Sequence, residues 1–260
     1  WSLFSNVASM PSTVDGDGPT GSVVQRNPQI RYRIRYFQSL ELAAALEYSI
    51  PDLNTQDYDS LRLEVIQMIP DFTTRVKYSG DFGNVQFSTV LNTISLKNQE
   101  NKITNLFGFG GSVSGLFELD NDQNIKYQAT AGKSISHYIT TFDGTGLAAV
   151  YNVAEQKYES LWSLSGFISY GWDFSEKLTS SVSVGAAKIF NQPYQGDRDY
   201  SHSGSISLDA YYEIIDGARN GFEDAYGQRL DKEGEKGFGS RVSDQVDNIF
   251  YFDVLSLSIV

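Results

Sequence analysis

The sequence has no cysteine, so it carries neither a disulfide framework nor a thiolate metal site. It has only two histidines, His137 and His202, both in polar, loop-like surroundings, and this excludes a multi-histidine metal cluster. Basic residues are in deficit: 20 Lys and Arg stand against 32 Asp and Glu, a formal net charge of −12. Nucleic acid and anionic membrane surfaces both attract basic proteins, so neither is expected as a main partner. No apolar run approaches the ~18 residues of a transmembrane helix. That absence leaves a membrane barrel open, because a barrel strand turns only every second side chain toward lipid. Catalytic signatures are missing as well: the chain has no G-x-S-x-G, no phosphate-binding Walker loop and no H-E-x-x-H, and no spacing singles out a glycosidase-like carboxylate pair. No enzyme activity and no cofactor is expected.

Aromatic residues and alternation are present instead. The 260 residues include 16 Tyr, 16 Phe and 3 Trp. In "QIRYRIRYF", residues 29–37, Arg31, Arg33 and Arg35 alternate with Ile30, Tyr32, Ile34 and Tyr36. A strand would put the arginines on one face and the apolar residues on the other. "LELAAALEY" (40–48) repeats the pattern, with Glu41 and Glu47 opposite its leucines, and so does "DFTTRVKYS" (71–79), with Arg75 and Lys77 opposite Phe72, Val76 and Tyr78. Further amphipathic runs follow at 84–94, 105–119, 124–133, 161–172, 178–189, 205–214 and 221–229, and a last strand lies within 241–254. "FGFGGSVSG" sits inside a strand pattern with no helix after it, so its glycines read as close packing or curvature and not as a phosphate cradle.

Short turns near 38, 81, 121, 174 and 217 alternate with longer polar links at roughly 7–21, 50–69, 95–104, 134–160, 190–203 and 229–240. An antiparallel up-and-down meander with its long loops at one end produces this order, as in bacterial outer-membrane barrels. About twelve strands are expected, all in one domain spanning 1–260, with no internal repeat of fixed length. Aromatics near strand ends, such as Tyr36, Tyr48, Tyr78, Trp172 and Tyr212, suit girdles at the two bilayer interfaces. "WSLFSNV" reads as the end of a strand already under way, which suggests that N-terminal strands are missing. Asp224 is out of pattern: it alternates with Phe222 and Tyr226 and should face lipid. "YFDVLSLSIV" lacks the terminal aromatic typical of such barrels.

In a barrel the charged faces line a wet lumen. Arg26, Arg31, Arg33, Arg35, Arg75 and Lys77 form a candidate anion-selecting wall, since guanidinium groups bind carboxylates and phosphates bidentately and fixed cations in a narrow pore select anions. Glu41, Glu47, Asp209 and Glu213 are expected on opposing walls, giving a transverse field. The small, acidic segment 7–21 reads as an outer loop or as a constriction loop folded into the pore. Its Asp15-Gly16-Asp17 triplet lacks the later ligands of an EF-hand, so no metal site is assigned. A soluble or cell-surface β-rich module that binds carbohydrate is the alternative reading. It would be soluble without detergent.

"DGPTGSVVQRNPQIRYRI", "LELAAALEYSIPD", "IPDFTTRVKYSGDFGNVQFSTVL", "AVYNVAEQKYESLWSLSGFISYGWDFSEKLTSSVSVG" and "YGQRLDKEGEKG" together resemble the DcaP-like porins, trimeric bacterial outer-membrane channels associated with small carboxylates. The resemblance covers nearly the whole chain. It implies a sixteen-stranded transmembrane β-barrel of which about twelve strands are present, a homotrimer in outer-membrane lipid, and diffusion of small anionic solutes through an arginine-lined pore. It also implies that segment 7–21 narrows the lumen.

Overall fold

A computed structural model describes residues 1–14, 16, 18–53, 63–120, 122–215, 218–234 and 236–248. The Asp15 and Asp17 carboxylates and the last stretch beyond Asn248 lie outside the described residues. Fourteen strands follow in order: β1 (Gln29–Tyr36), β2 (Leu40–Glu47), β3 (Glu64–Ile66), β4 (Asp71–Gly80), β5 (Gly83–Lys97), β6 (Ile103–Asp120), β7 (Gln123–Lys133), β8 (Ala149–Asn152), β9 (Lys157–Ser160), β10 (Trp162–Asp173), β11 (Leu178–Phe190), β12 (Tyr200–Ile215), β13 (Ala218–Asp231) and β14 (Lys236–Asn248).

Eleven of them form an antiparallel meander in the order β1-β2-β4-β5-β6-β7-β10-β11-β12-β13-β14, with β3 added beside β5, while β8 and β9 make a separate hairpin. Among the described residues β1 and β14 are the two ends of this sheet. The expected turns fall between β1 and β2, β4 and β5, β6 and β7, β10 and β11, and β12 and β13. Two links expected to be long are short: β5 to β6 and β13 to β14, where the strands run on past the alternating stretch and leave residues 98–102 and 232–235 as connections.

Burial is inverted relative to a soluble sheet. One face presents apolar side chains to the outside: Ile30 is 81% exposed, Tyr32 70% and Phe107 72%, with Leu91, Leu164, Ile168, Val184, Ile206 and Phe222 also exposed. The other face buries polar ones, including Gln86, Ser88, Ser112, Gln128, Thr130, Ser165 and Ser183. A soluble sheet would do the reverse, because burying hydroxyls and amides while wetting leucines loses free energy in water. Asp224 lies on the outward face, exposed, across from Leu208, as its alternation requires.

Rings gather at the turn end of that outer face. Tyr78 stacks on Phe82 at 6.0 Å, Phe82 meets Phe117 at 5.9 Å, and Phe117 stacks on Tyr127 at 5.4 Å. Tyr170, Trp172 and Phe174 continue the band. At the loop end Phe109 packs edge-on against Trp162 at 5.4 Å. Such bands match the amphipathic depth at which aromatic side chains settle in a bilayer.

The described residues of 1–28 form none of the sheet's strands, contrary to the reading of "WSLFSNV" as a strand end. Leu3 and Phe4 are fully buried on the polar face. The inward residues of a wet wall leave a space, and Leu3, Phe4 and Val23 fill it together with residues 135–142 from the β7–β10 connection. His137 is therefore buried rather than in a polar loop, and His202 belongs to β12.

Candidate functional site

The N-terminal segment crosses the polar face of nearly the whole sheet. Leu3 N–H donates to Glu47 on β2 at 2.9 Å, Ser88 on β5 donates to the Phe4 carbonyl at 3.1 Å, and Asn6 donates to Ser114 on β6 at 3.1 Å. Lys126 on β7 holds the Met10 carbonyl at 3.1 Å, and Val14 N–H reaches Glu223 on β13 at 2.8 Å. The chain then returns past Ser205 and Thr141 to Gln128 on β7, which accepts from Val23 N–H at 2.7 Å. Strands this far apart in the sheet touch one short segment, so the sheet curls around it. The described part of segment 7–21, expected as an outer loop or a constriction loop, thus belongs to a longer strap, residues 1–14 and 18–25, on the polar face of the sheet. Gly21 is its tightest point: φ is +85°, and a Cβ there would stand 2.3 Å from the Ala186 carbonyl.

The basic wall lies beside this strap. Arg31, Arg33, Arg35, Arg75 and Lys77 line a cavity of ≈ 510 Å³, together with Trp1, Ser5 and Glu41. Glu41 is not on an opposing wall. The 37–39 turn pairs β1 antiparallel to β2 and sets Glu41 directly across from Arg35, while β4 pairs on its other side and brings up Lys77. Its carboxylate bonds Arg35 at 3.1 Å, lies 3.7 Å from Arg33 and is bonded by Arg75. Three of the five cations thus share one carboxylate, and the wall keeps a positive excess. Arg31 donates to the Trp1 carbonyl. Arg26 stands apart from the ladder, stacked on the Trp1 ring at 3.9 Å.

The remaining acidic residues are distributed by their contacts. Glu47 is on β2, the same wall as the arginines, fully buried and spent on Leu3 N–H, Thr73 and Asn27. Asp209 and Glu213 are on β12, toward the other end of the sheet. Asp209 is buried and faces Glu223, and Glu213 pairs in register with Arg219.

Sequence reasoning missed the second inward element. In the long link after β7, short 3-10 turns at Ser136–Tyr138 and Thr140–Phe142 bury Ile135, Tyr138, Ile139 and Phe142 against Phe4 and Val23. Tyr138 donates to Asp71 at 2.7 Å, and burial with the Asp71 and Glu47 carboxylates holds its phenol well above the ordinary range. The signal was available: apolar residues at 135, 138, 139 and 142 repeat with helical spacing inside a supposedly polar loop. Asp52 anchors the neighbouring link by accepting from Gly146 N–H at 2.8 Å, and burial raises its pKa. Among the described residues no group of three or more histidine or acidic side chains could hold a metal ion.

No protein-family model matches the sequence, and no curated protein does. Similarity lies in the fold. The outer membrane channel DcaP of Acinetobacter baumannii matches with a TM-score of 0.81 over 95% of this chain and 68% of that chain, at 14% identity. The NanC porin and the CymD monoaromatic hydrocarbon channel match at TM-scores of 0.39 and 0.43, each with 9% identity over 84% of this chain.

Proposed function

We propose that this chain forms the wall of a bacterial outer-membrane channel that passes small anionic, carboxylate-type solutes. The inverted burial carries the reading: apolar and aromatic side chains face outward, while hydroxyls, amides and five cations around Glu41 face a cavity. The fold it shares with DcaP supports the same conclusion. A sheet spanning a bilayer must have both edges paired, so the proposal requires partners for the outer edges of β1 and β14 in the working protein. Homotrimeric assembly, as in the family the sequence resembles, is part of the proposal and is checked by the mass of the detergent-solubilised particle.

Anion preference follows from charge placement. Arg31, Arg33, Arg35, Arg75 and Lys77 hold a solute carboxylate in passing, through donors fixed on two adjacent hairpins. The strap narrows the lumen beside them, so solutes pass close to the cations. The decisive measurement is the reversal potential in planar bilayers under a KCl gradient. Chloride preference is expected, with a shift toward neutrality in an Arg33→Gln/Arg75→Gln variant. Cation preference in the unmodified protein overturns the anion reading, and solubility without detergent overturns the channel.

A further inference from the structure

The lumen has a second cationic cleft, at the loop end of the strands, that the arginine ladder does not include. Its lining contains Arg198, Arg229, Tyr151, Tyr194 and Tyr200, and its volume is ≈ 550 Å³, within the size range of small-molecule sites. Arg229 is on the inward-facing series of β13 that includes Glu223, two residues from the strand's loop end. It therefore lies at the opposite end of the strands from Arg35 and Lys77, which sit beside the 37–39 and 81–82 turns.

The cleft is built rather than incidental. Its floor is Tyr200, buried, edge-on to Phe142 at 5.3 Å, with the Arg229 guanidinium stacked over its ring at 4.4 Å. A stacked guanidinium has its plane fixed and carries its N–H donors at the rim, where a carboxylate can meet two of them. One wall is the 191–199 loop. Lys232 clamps it by donating to the carbonyls of Pro193, at 2.8 Å, and Gln195, and Asp199 is tied back by accepting from Gln195 at 3.2 Å. Asp199 keeps its charge, and Arg198 and Arg229 outnumber it, so the lining has a positive excess. The other wall runs from Thr145 to Tyr151, held by Asp52 on Gly146 N–H and by the Tyr151–Tyr158 ring pair at 5.1 Å.

We infer that this cleft is a separate docking station for a small organic anion, which captures the solute at the loop end before it reaches the β1–β2–β4 wall. The inference deepens the channel reading and rests on it. A cationic site at the mouth raises local anion concentration and on-rate from that side only, by about tenfold for sites of this kind.

The test uses succinate as the probe. In bilayers, succinate added to the two sides in turn should interrupt the wild-type current about tenfold more often from one side. An Arg198→Gln/Arg229→Gln variant should lose that asymmetry. Asymmetry that is unchanged in the variant overturns the station. Calorimetric titration of the detergent-solubilised protein reads the site independently: the double variant should lose one class of succinate site, and Arg198→Gln alone, in an exposed loop, should weaken the same class. Equal stoichiometry in wild type and double variant overturns the inference. Absence of anion preference in the wild type overturns the channel selectivity instead, and leaves the titration to decide the cleft.

Discussion

Asp209 and Glu223 stand directly opposite each other on β12 and β13, both buried beneath the strap, with Val14 N–H donating to Glu223 at 2.8 Å. Ser207 supplies Asp209 with a hydroxyl at 3.2 Å. Like charges directly opposed across an antiparallel pair disfavour the sheet by about 0.2–1 kcal/mol. Asp209→Asn keeps the shape and a donor for Glu223, so it should stabilise the folded protein by that amount in urea titrations in detergent at alkaline pH, where both carboxyls of the unmodified protein are ionised. Glu223→Leu leaves Val14 N–H without its acceptor and should destabilise by about 1–3 kcal/mol. A destabilised Asp209→Asn would contradict the repulsion.

Glu41 tempers the basic wall. Arg35 and Arg75 hydrogen-bond it and Arg33 lies within ion-pair reach, so it cancels part of their field in the cavity that the proposed channel uses as its path. One unit charge about 10 Å from a passing ion shifts its energy by about 0.4 kcal/mol in water, about a twofold change in partition. Glu41→Gln should therefore raise the anion-to-cation permeability ratio about fourfold, about twofold from each ion, read from the reversal potential. A fall in that ratio would mean that Glu41 organises the guanidiniums more than it neutralises them.

The outward face was legible in the sequence because a uniform apolar surrounding asks for one period-two pattern, and the ten strands of the meander from β1 to β13 repeat it. Ile30, Tyr32, Leu164 and Ile168 could be assigned without knowing any neighbour. The inward side has no such regularity. Whether Leu3 and Phe4 continue a strand or turn into the lumen depends on Glu47, Ser88 and Tyr138, which are distant in sequence. The placement of Glu41 was within reach, since a tight 37–39 turn forces it opposite Arg35. Glutamates and arginines on adjacent antiparallel strands share a wall, and an opposing acidic wall cannot come from β2. Asp209 differs because β12 is seven steps from β2 along the sheet order.

The strap meets β11 through two glycines. Gly21 closes on the Ala186 carbonyl, and a Cβ on Gly185 would lie 2.1 Å from the Thr20 carbonyl. Backbone stands on both sides of the contact, so no side chain can rotate away. Gly185→Ala should push residues 18–23 off the wall at a cost of about 1–3 kcal/mol, the usual range for overpacking. The proposed channel puts the strap in its lumen, so single-channel conductance should change along with stability. Unchanged conductance would show that the strap does not limit the current.

Asp52 makes the docking of its loop pH-dependent. Burial raises its carboxyl pKa above the ordinary 3.8, against the opposing pull of the Gly146 hydrogen bond. A raised folded pKa means that the folded state binds the proton more tightly than the unfolded state does. The contribution to stability is therefore complete below the unfolded value of 3.8 and is lost as pH rises through the folded pKa. Docking of residues 48–53 onto 143–148 should tighten as pH falls from neutral toward 4. Hydrogen exchange at Gly146 and Ala148, corrected for the intrinsic pH dependence of exchange, reads this directly, because both amides donate to Asp52. Asp52→Asn should flatten the profile and hold protection at neutral pH at or above the wild-type level. Protection that instead falls on acidification would mean that the Gly146 bond outweighs burial at this carboxylate.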